Sequence, residues 1–212
     1  MTLSVNRRLA NEFELLASYT FSKAIDDASD FRESPQNPYD VRAKRALSSN
    51  HQAQRFAVSA LFDLPIGSEA KGDHDDADDE KSQGGLLNRL LSNIEIAPIF
   101  TVGSGRPVDP VTGFDSNRTH TFPFPARPLG FARNSLMTPA AAVLDLRVLK
   151  AFKIGERGKL DVVAESFNLL NRRNVSQIGS SFGPGATAVS SFAHATEALN
   201  PRQLQFSLDF EF

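Results

Sequence analysis

The stretch Gln203-Leu204-Gln205-Phe206-Ser207-Leu208-Asp209-Phe210-Glu211-Phe212 alternates apolar and polar side chains without exception. Side chains of an extended chain point to opposite faces with a period of two, so Leu204, Phe206, Leu208, Phe210 and Phe212 share one face. The polar members share the other, a separation that the 3.6-residue period of a helix cannot produce. A strand of a soluble sandwich also alternates. An apolar row built only of Leu and Phe and ending in an aromatic is what a strand with lipid on one side and water on the other requires.

The same pattern recurs upstream. Residues 2–9 alternate through Leu3, Val5 and Leu9, with Arg7 interrupting the apolar row. After a short turn at Asn11 and Glu12, residues 12–22 place Phe13, Leu15, Ala17, Tyr19 and Phe21 on one face. Residues 54–64, 93–102, 142–153, 159–171 and 203–212 continue the series, giving about seven strands. Pro98 weakens the fourth, because it lacks an amide donor and favours edges or bulges. In the sixth, Phe167-Asn168-Leu169-Leu170-Asn171 blurs the parity and predicts a β-bulge.

The connections alternate in length. Those at Asn11 and at 155–158 are short, whereas 24–50, 103–139 and 172–200 are long and rich in Asp, Ser, Asn, Gly and Pro. Barrels of the outer membrane have short turns on one rim and long loops on the other. With the C-terminus on the periplasmic side, all three long loops fall outside. The connection 68–92 is the exception, with the acidic run Asp73 to Glu80 followed by Leu86, Leu87, Leu90 and Leu91 at helical spacing. It reads as a solvated acidic insertion with a short amphipathic helix in a periplasmic connection. The run lacks the glycine and terminal glutamate of an EF-hand loop, so a calcium site is the weaker reading.

Composition narrows the function classes. The net charge of -2 supplies no basic field for nucleic acid, and the lack of cysteine removes disulfides, thiolate metal sites and a cysteine nucleophile. No run reaches the ~18 apolar residues of a membrane-spanning helix, but barrel strands need only about 9 to 11 and are half polar. The first ten residues contain no apolar h-region and are not a signal peptide; they read as a strand already in progress. Seven strands do not close a single-chain bacterial barrel, which needs an even number of at least about eight. The expected fold is therefore all-β: an antiparallel up-and-down transmembrane β-barrel segment, incomplete, spanning residues 1–212, with upstream strands missing.

Several segments carry a family resemblance: Leu-Leu-Ala-Ser-Tyr-Thr-Phe-Ser-Lys-Ala-Ile-Asp-Asp at 15–27, Asn-Pro-Tyr-Asp-Val-Arg-Ala-Lys-Arg-Ala-Leu-Ser-Ser at 37–49, and the strand and turn at 54–67. Val-Gly-Ser-Gly-Arg-Pro at 102–107, the segments 144–157 and 164–174, and Asn-Pro-Arg-Gln-Leu-Gln-Phe-Ser-Leu-Asp-Phe-Glu-Phe at 200–212 continue it in order. The chain resembles the C-terminal part of TonB-dependent outer-membrane receptors, in the subgroup with an N-terminal carboxypeptidase-regulatory-like domain. The resemblance implies a barrel of about 22 strands around a plug, energised through a TonB box by an inner-membrane complex. Plug, TonB box and signal peptide are absent from this sequence, and the acidic insertion is a further departure, so transport by this chain alone is not expected.

What the resemblance implies for partners is outer-membrane lipid, the barrel assembly machinery, the plug and upstream strands, the TonB complex, and a small-molecule, glycan or peptide substrate. It also implies that Leu204, Phe206, Leu208, Phe210 and Phe212 form the signal read by the assembly machinery, which fits strand addition. Tyr39, Phe114, Phe122 and Phe124 are loop aromatics placed to contact ligand, or to pack loop on loop. The alternative from another class is a soluble β-sandwich binding module, in which the Phe and Leu rows would form one buried core. An enzyme is not expected: His51, His74, His120 and His194 stand at no hydrolase-like spacing from a serine and an acid. No cofactor is expected.

Overall fold

The computed structural model describes residues 1–9, 13–64, 92–118, 120–155 and 158–212. In chain order the strands are β1 (Thr2–Leu9), β2 (Phe13–Phe21), β3 (Ile25–Asp26), β4 (Ala46–Leu47), β5 (Gln54–Leu64), β6 (Ile94–Gly103) and β7 (Pro107–Val108). There follow β8 (Leu136–Met137), β9 (Ala141–Ile154), β10 (Gly158–Phe167), β11 (Val175–Ile178), β12 (Ala195–Ala198) and β13 (Gln203–Glu211). One 3-10 turn, Val41–Lys44, lies between β3 and β4.

The long strands make one sheet of seven, ordered β1-β2-β5-β6-β9-β10-β13, with every neighbouring pair antiparallel. This is an up-and-down meander, as the alternation predicts. The register keeps the apolar rows together: Phe13 faces Phe62, Phe62 faces Ile96, Ile96 faces Val148, Val148 faces Ala164, and Ala164 faces Phe206. One apolar row, the belt, thus runs from strand to strand across the sheet, with the Phe13 and Phe62 rings 4.9 Å apart. A one-residue slip of any strand would turn its belt residue to the opposite face, which is why the register is so strongly specified.

The other face is polar. Arg147 and Glu165 approach to 3.8 Å on it, and Lys159 meets Asp161 at 2.6 Å. Among the described residues the belt packs against no second sheet, and Leu204, Phe206, Leu208 and Phe210 stand exposed along β13. The sandwich alternative required those rows to form a common buried core, so it fails. No helix among the described residues is long and apolar enough to cross a membrane; the strands are the spanning elements.

Two details depart from expectation. Pro98 sits in the internal strand β6 and keeps the register, but the ladder toward β5 omits the pairs of Ala60 and Leu61 while resuming at Ser59–Ile99 and Phe62–Ile96. A residue without an N–H is accommodated by a gap in one ladder. The predicted bulge in the sixth strand does not form. β10 ends at Phe167, and Asn168 and Asn171 adopt φ of 50° and 49°. Asparagine tolerates this left-handed conformation, so the segment is a turn that leaves the sheet.

The three long connections, 22–53 (loop 1), 104–140 (loop 2) and 168–202 (loop 3), follow β2, β6 and β10 and so share one rim. They are more ordered than their composition suggests. Each holds a two-stranded ribbon: β3–β4, β7–β8 and β11–β12 respectively. The acidic insertion and the helical spacing at 86–91 lie outside the described residues.

Candidate ligand-capture cap

The quoted motifs that recur at strand ends turn out to be the necks of the three loops. Ser22 Oγ donates to the Gln52 carbonyl at 2.7 Å, and Gln52 Nε2 donates to the Ser104 carbonyl at 3.0 Å, tying the bases of loops 1 and 2. Within Val-Gly-Ser-Gly-Arg-Pro, Arg106 N donates to Thr138 Oγ1 and Thr138 N to the Arg106 carbonyl, which closes the neck of loop 2. A Cβ on Gly105 would run into the Thr138 carbonyl, so only glycine permits that approach. At loop 3 the buried Asn174 bonds both the amide and the carbonyl of Ala142, while Asn168 Nδ2 reaches the Arg172 and Asn200 carbonyls.

Above the necks, loops 1 and 2 are held by a buried ionic clasp. The Arg133 side chain is 1% exposed. Its guanidinium donates to Glu33 Oε1 at 2.5 Å and Oε2 at 2.8 Å, to Asp26 Oδ1 at 2.8 Å and to Ser29 Oγ at 2.9 Å. The planar fork of arginine supplies these directions together, which an ammonium could not. Beside it, Arg127 grips Asp109 through two bonds of 2.7 Å, and Lys44 lies 3.3 Å from Glu33. Asn134 extends the clasp by donating through its side chain to the Leu47 carbonyl of β4 and through its backbone to Asp109.

Burial alone would push the Glu33 carboxyl up. The Arg133 hydrogen bonds, the Ser29 amide and the charges of Arg133 and Lys44 outweigh it and bring the group down to about 2. Asp26 is likewise lowered: burial opposes ionisation, and bonds from Ser48, Arg133 and Ser29 override it. Both carboxylates are therefore ionised throughout the physiological range.

Loops 2 and 3 are joined differently. Phe131 of loop 2 packs against Phe182 and Phe192 of loop 3, with centroids 6.1 and 5.3 Å away, and those two rings lie 5.1 Å apart. Beside this cluster, Val111 bridges Ser181, and Phe182 N donates to the Val111 carbonyl. The three loops form one cap over the rim.

A polar pocket of about 310 Å³ opens between loops 1 and 2, lined by Gln36, Asn37, Asp40, Lys44, Asn117 and Arg127. The loop aromatics singled out in the sequence are not gathered into it. Tyr39 is 97% exposed, between two lining residues in the chain. Phe122, 81% exposed, packs edge-to-face on the half-buried Phe124 at 5.5 Å, and Phe114 is 37% exposed. Phe122 and Phe124 pack on each other within loop 2, while Tyr39 and Phe114 make no ring contact among the described residues.

Of the histidines, His51 is buried at the start of β5 and accepts the Ala24 amide on Nδ1, and His194 contacts the Phe192 carbonyl. His120 stands in loop 2, and His74 lies outside the described residues. No group of His, Asp and Glu side chains among the described residues is placed to hold a metal ion. The clasp residues Asp26, Glu33, Lys44, Asp109, Arg127 and Arg133 went unread in the sequence. Two of them lie in motifs that carry the family resemblance and could have pointed to the clasp: Asp26 in the segment 15–27 and Lys44 in the segment 37–49.

At the opposite end of β10, β13 pairs along its length with β10, from Phe167–Gln203 to Lys159–Glu211. Among the described residues its other edge carries no strand, and Phe212 is 98% exposed beside Phe210, the rings 5.9 Å apart.

No curated protein matches the chain, and no solved structure does. A family model described as "Outer membrane beta barrel domain" matches residues 1–130 and 123–205, nearly the whole chain. With that match the apolar belt is the lipid-facing surface, the opposite face looks into the barrel, and the site of residence is the outer membrane. An all-antiparallel meander of seven strands, one apolar face and long loops on a single rim agree with the match at every level, and the chain belongs to the outer membrane beta barrel domain family.

Proposed function

We propose that the protein is the C-terminal wall of a TonB-dependent receptor, whose cap captures a solute from outside the cell for energised import through a plugged barrel. The single observation that carries this reading is the cap. Three long loops on one rim are cross-linked by a buried ionic clasp and an aromatic cluster, and a polar pocket opens between two of them. Loops that served only as connections would not need a buried arginine with six side-chain and backbone acceptors. Binding residues concentrate on loops held by a rigid scaffold, which is the arrangement here.

In this reading the 212 residues complete a wall with upstream strands, because an open sheet edge cannot lie in hydrocarbon. The exposed row of β13, with Phe212 at its end, serves as the strand that the assembly machinery recognises, through backbone pairing and alternate side-chain pockets. The role is capture and passage rather than catalysis.

The test is uptake in the organism that makes the protein. Its reading frame is disrupted, and accumulation of labelled ferric chelates, oligosaccharides, peptides and cobalamin is followed with and without a protonophore. Loss of energy-dependent uptake of one class is expected. Unchanged uptake of every class would overturn the proposal.

A further inference from the structure

The pocket between loops 1 and 2 has a chemistry that selects among solutes. Its two cations are already neutralised: Lys44 by Glu33 at 3.3 Å, and Arg127 by Asp109 at 2.7 Å. Asp40 adds a carboxylate that makes no cap to the 3-10 turn it precedes. The pocket therefore offers no surplus positive charge to an anion.

Its hydrogen-bonding groups are unspent in one particular way. The side-chain oxygen of Asn37 accepts the Tyr39 amide, that of Asn117 accepts the Ser116 hydroxyl, and that of Gln36 accepts from Arg127. The three amide NH₂ groups donate to nothing among the described residues. A pocket lined by three amide donors and one carboxylate acceptor matches groups that both accept and donate, which hydroxyls do. Neighbouring hydroxyls on a ring meet such a set without bringing charge. Between the lining residues Asn37 and Asp40 in the chain, Tyr39 carries an exposed ring, the kind of surface on which the C–H face of a sugar packs. The volume of about 310 Å³ stands at the small end of ligand pockets, which run from about 300 Å³ upward.

We infer that this pocket binds one unit of an uncharged oligosaccharide, with the Gln36, Asn37 and Asn117 amides and Asp40 on its hydroxyls and Tyr39 against its ring. The inference rests on the capture reading above and narrows it to a substrate class. An anionic iron chelate finds no surplus positive charge here.

The experiment uses outer-membrane vesicles carrying the protein, applied to an array of neutral, uronate-bearing and sulfated oligosaccharides with ferric citrate alongside. Retention of at least one neutral glycan is expected, above vesicles lacking the protein. Asp40→Ala, Asn117→Ala and Tyr39→Ala should each weaken it by about tenfold, the loss of one hydrogen-bonded or stacked contact. Leu129→Ala, a fully exposed loop position that is not part of the lining, should leave it unchanged. Heat-dependent migration on gels confirms that each variant is folded. Binding confined to charged glycans or ferric citrate, no binding at all, or binding indifferent to Asp40→Ala and Asn117→Ala would overturn the inference. If the array is empty while cells still import another solute in an energy-dependent way, the substrate class fails and the receptor reading stands. If a neutral glycan binds at the pocket and no energised uptake exists, the receptor reading fails alone.

Discussion

Arg133 donates to both carboxylate oxygens of Glu33, at 2.5 and 2.8 Å, across a separation of 100 residues. That pair is the mechanical connection between loops 1 and 2, and it concentrates a charge where water is excluded. Removing one partner of such a buried pair costs about 3 to 5 kcal/mol, because the other is left uncompensated. Arg133→Ala should release loop 1 and make it the first site of protease cleavage on intact cells, while the wall stays heat-modifiable. Arg133→Lys should recover little, since an ammonium cannot span Glu33, Asp26 and Ser29 together. Equal cleavage of wild type and Arg133→Ala would refute the clasp.

The pH dependence of the cap follows from the lowered carboxyl of Glu33. Its value in the folded cap is about 2, below the ordinary 4.5, so folding is favoured by ionisation and that contribution is whole above pH 4.5. It falls away as the pH drops from 4.5 toward 2. Asp26, lowered in the same direction, adds to the slope. Loop 1 should therefore become accessible to a surface label below pH 4.5, and the transition should flatten in Glu33→Gln.

Gly105→Ala tests the neck of loop 2. The new methyl would meet the Thr138 carbonyl, and backbone must move to admit it. A destabilisation of about 1 to 3 kcal/mol is expected for such overpacking, read as a lower unfolding temperature of the folded band in detergent. Gly130→Ala, whose added carbon meets nothing, is the control for space alone, although its φ of 85° carries a strain of its own.

The belt makes a face-specific prediction. Ile96→Arg puts a charge among Phe62 and Val148 on the lipid side, where it is destabilising. Ala97→Arg, one residue on and opposite Arg147, faces the interior and should assemble far better. Equal yields of the two variants in the outer membrane would contradict the assigned faces.

For the terminal strand, Phe212→Asp and deletion of Phe212 should both reduce the amount of assembled protein in the outer membrane, with material accumulating in the periplasm. Substitution by Tyr, which keeps the aromatic end, should be tolerated. Assembly of all three variants at the wild-type level would remove Phe212 from the recognition signal.

The wall was legible because its physics is local. Five residues of alternation suffice to reveal two faces, and the edges of β1, β5 and β13 fall where the alternation of 2–9, 54–64 and 203–212 starts or stops. Pro98 was read correctly as an obstacle and resolved by a gap in the ladder that no sequence pattern announces. The cap was not legible for a different reason. Its bonds join Asp26, Glu33 and Lys44 to Arg127 and Arg133 across about a hundred positions, and its backbone turns on asparagines at positive φ, which leave no period. Tyr39, Phe114, Phe122 and Phe124 drew attention by type alone. The pocket is built instead from Gln36, Asn37, Asp40 and Asn117, ordinary loop residues until folding brings them together.

The order in which the loops are joined sets how the cap responds to load. Loop 1 is fastened to loop 2 by charge, and loop 2 to loop 3 by aromatic packing, so the three are coupled in series. A pull on Tyr39 travels through Glu33 and Arg133 to Phe131 and Phe192, and so to the Asn174 anchor on Ala142 at the head of β9. The weakest joint fixes the yield point of the whole assembly. In hydrogen exchange the cap amides should therefore open together, as one cooperative unit distinct from the wall.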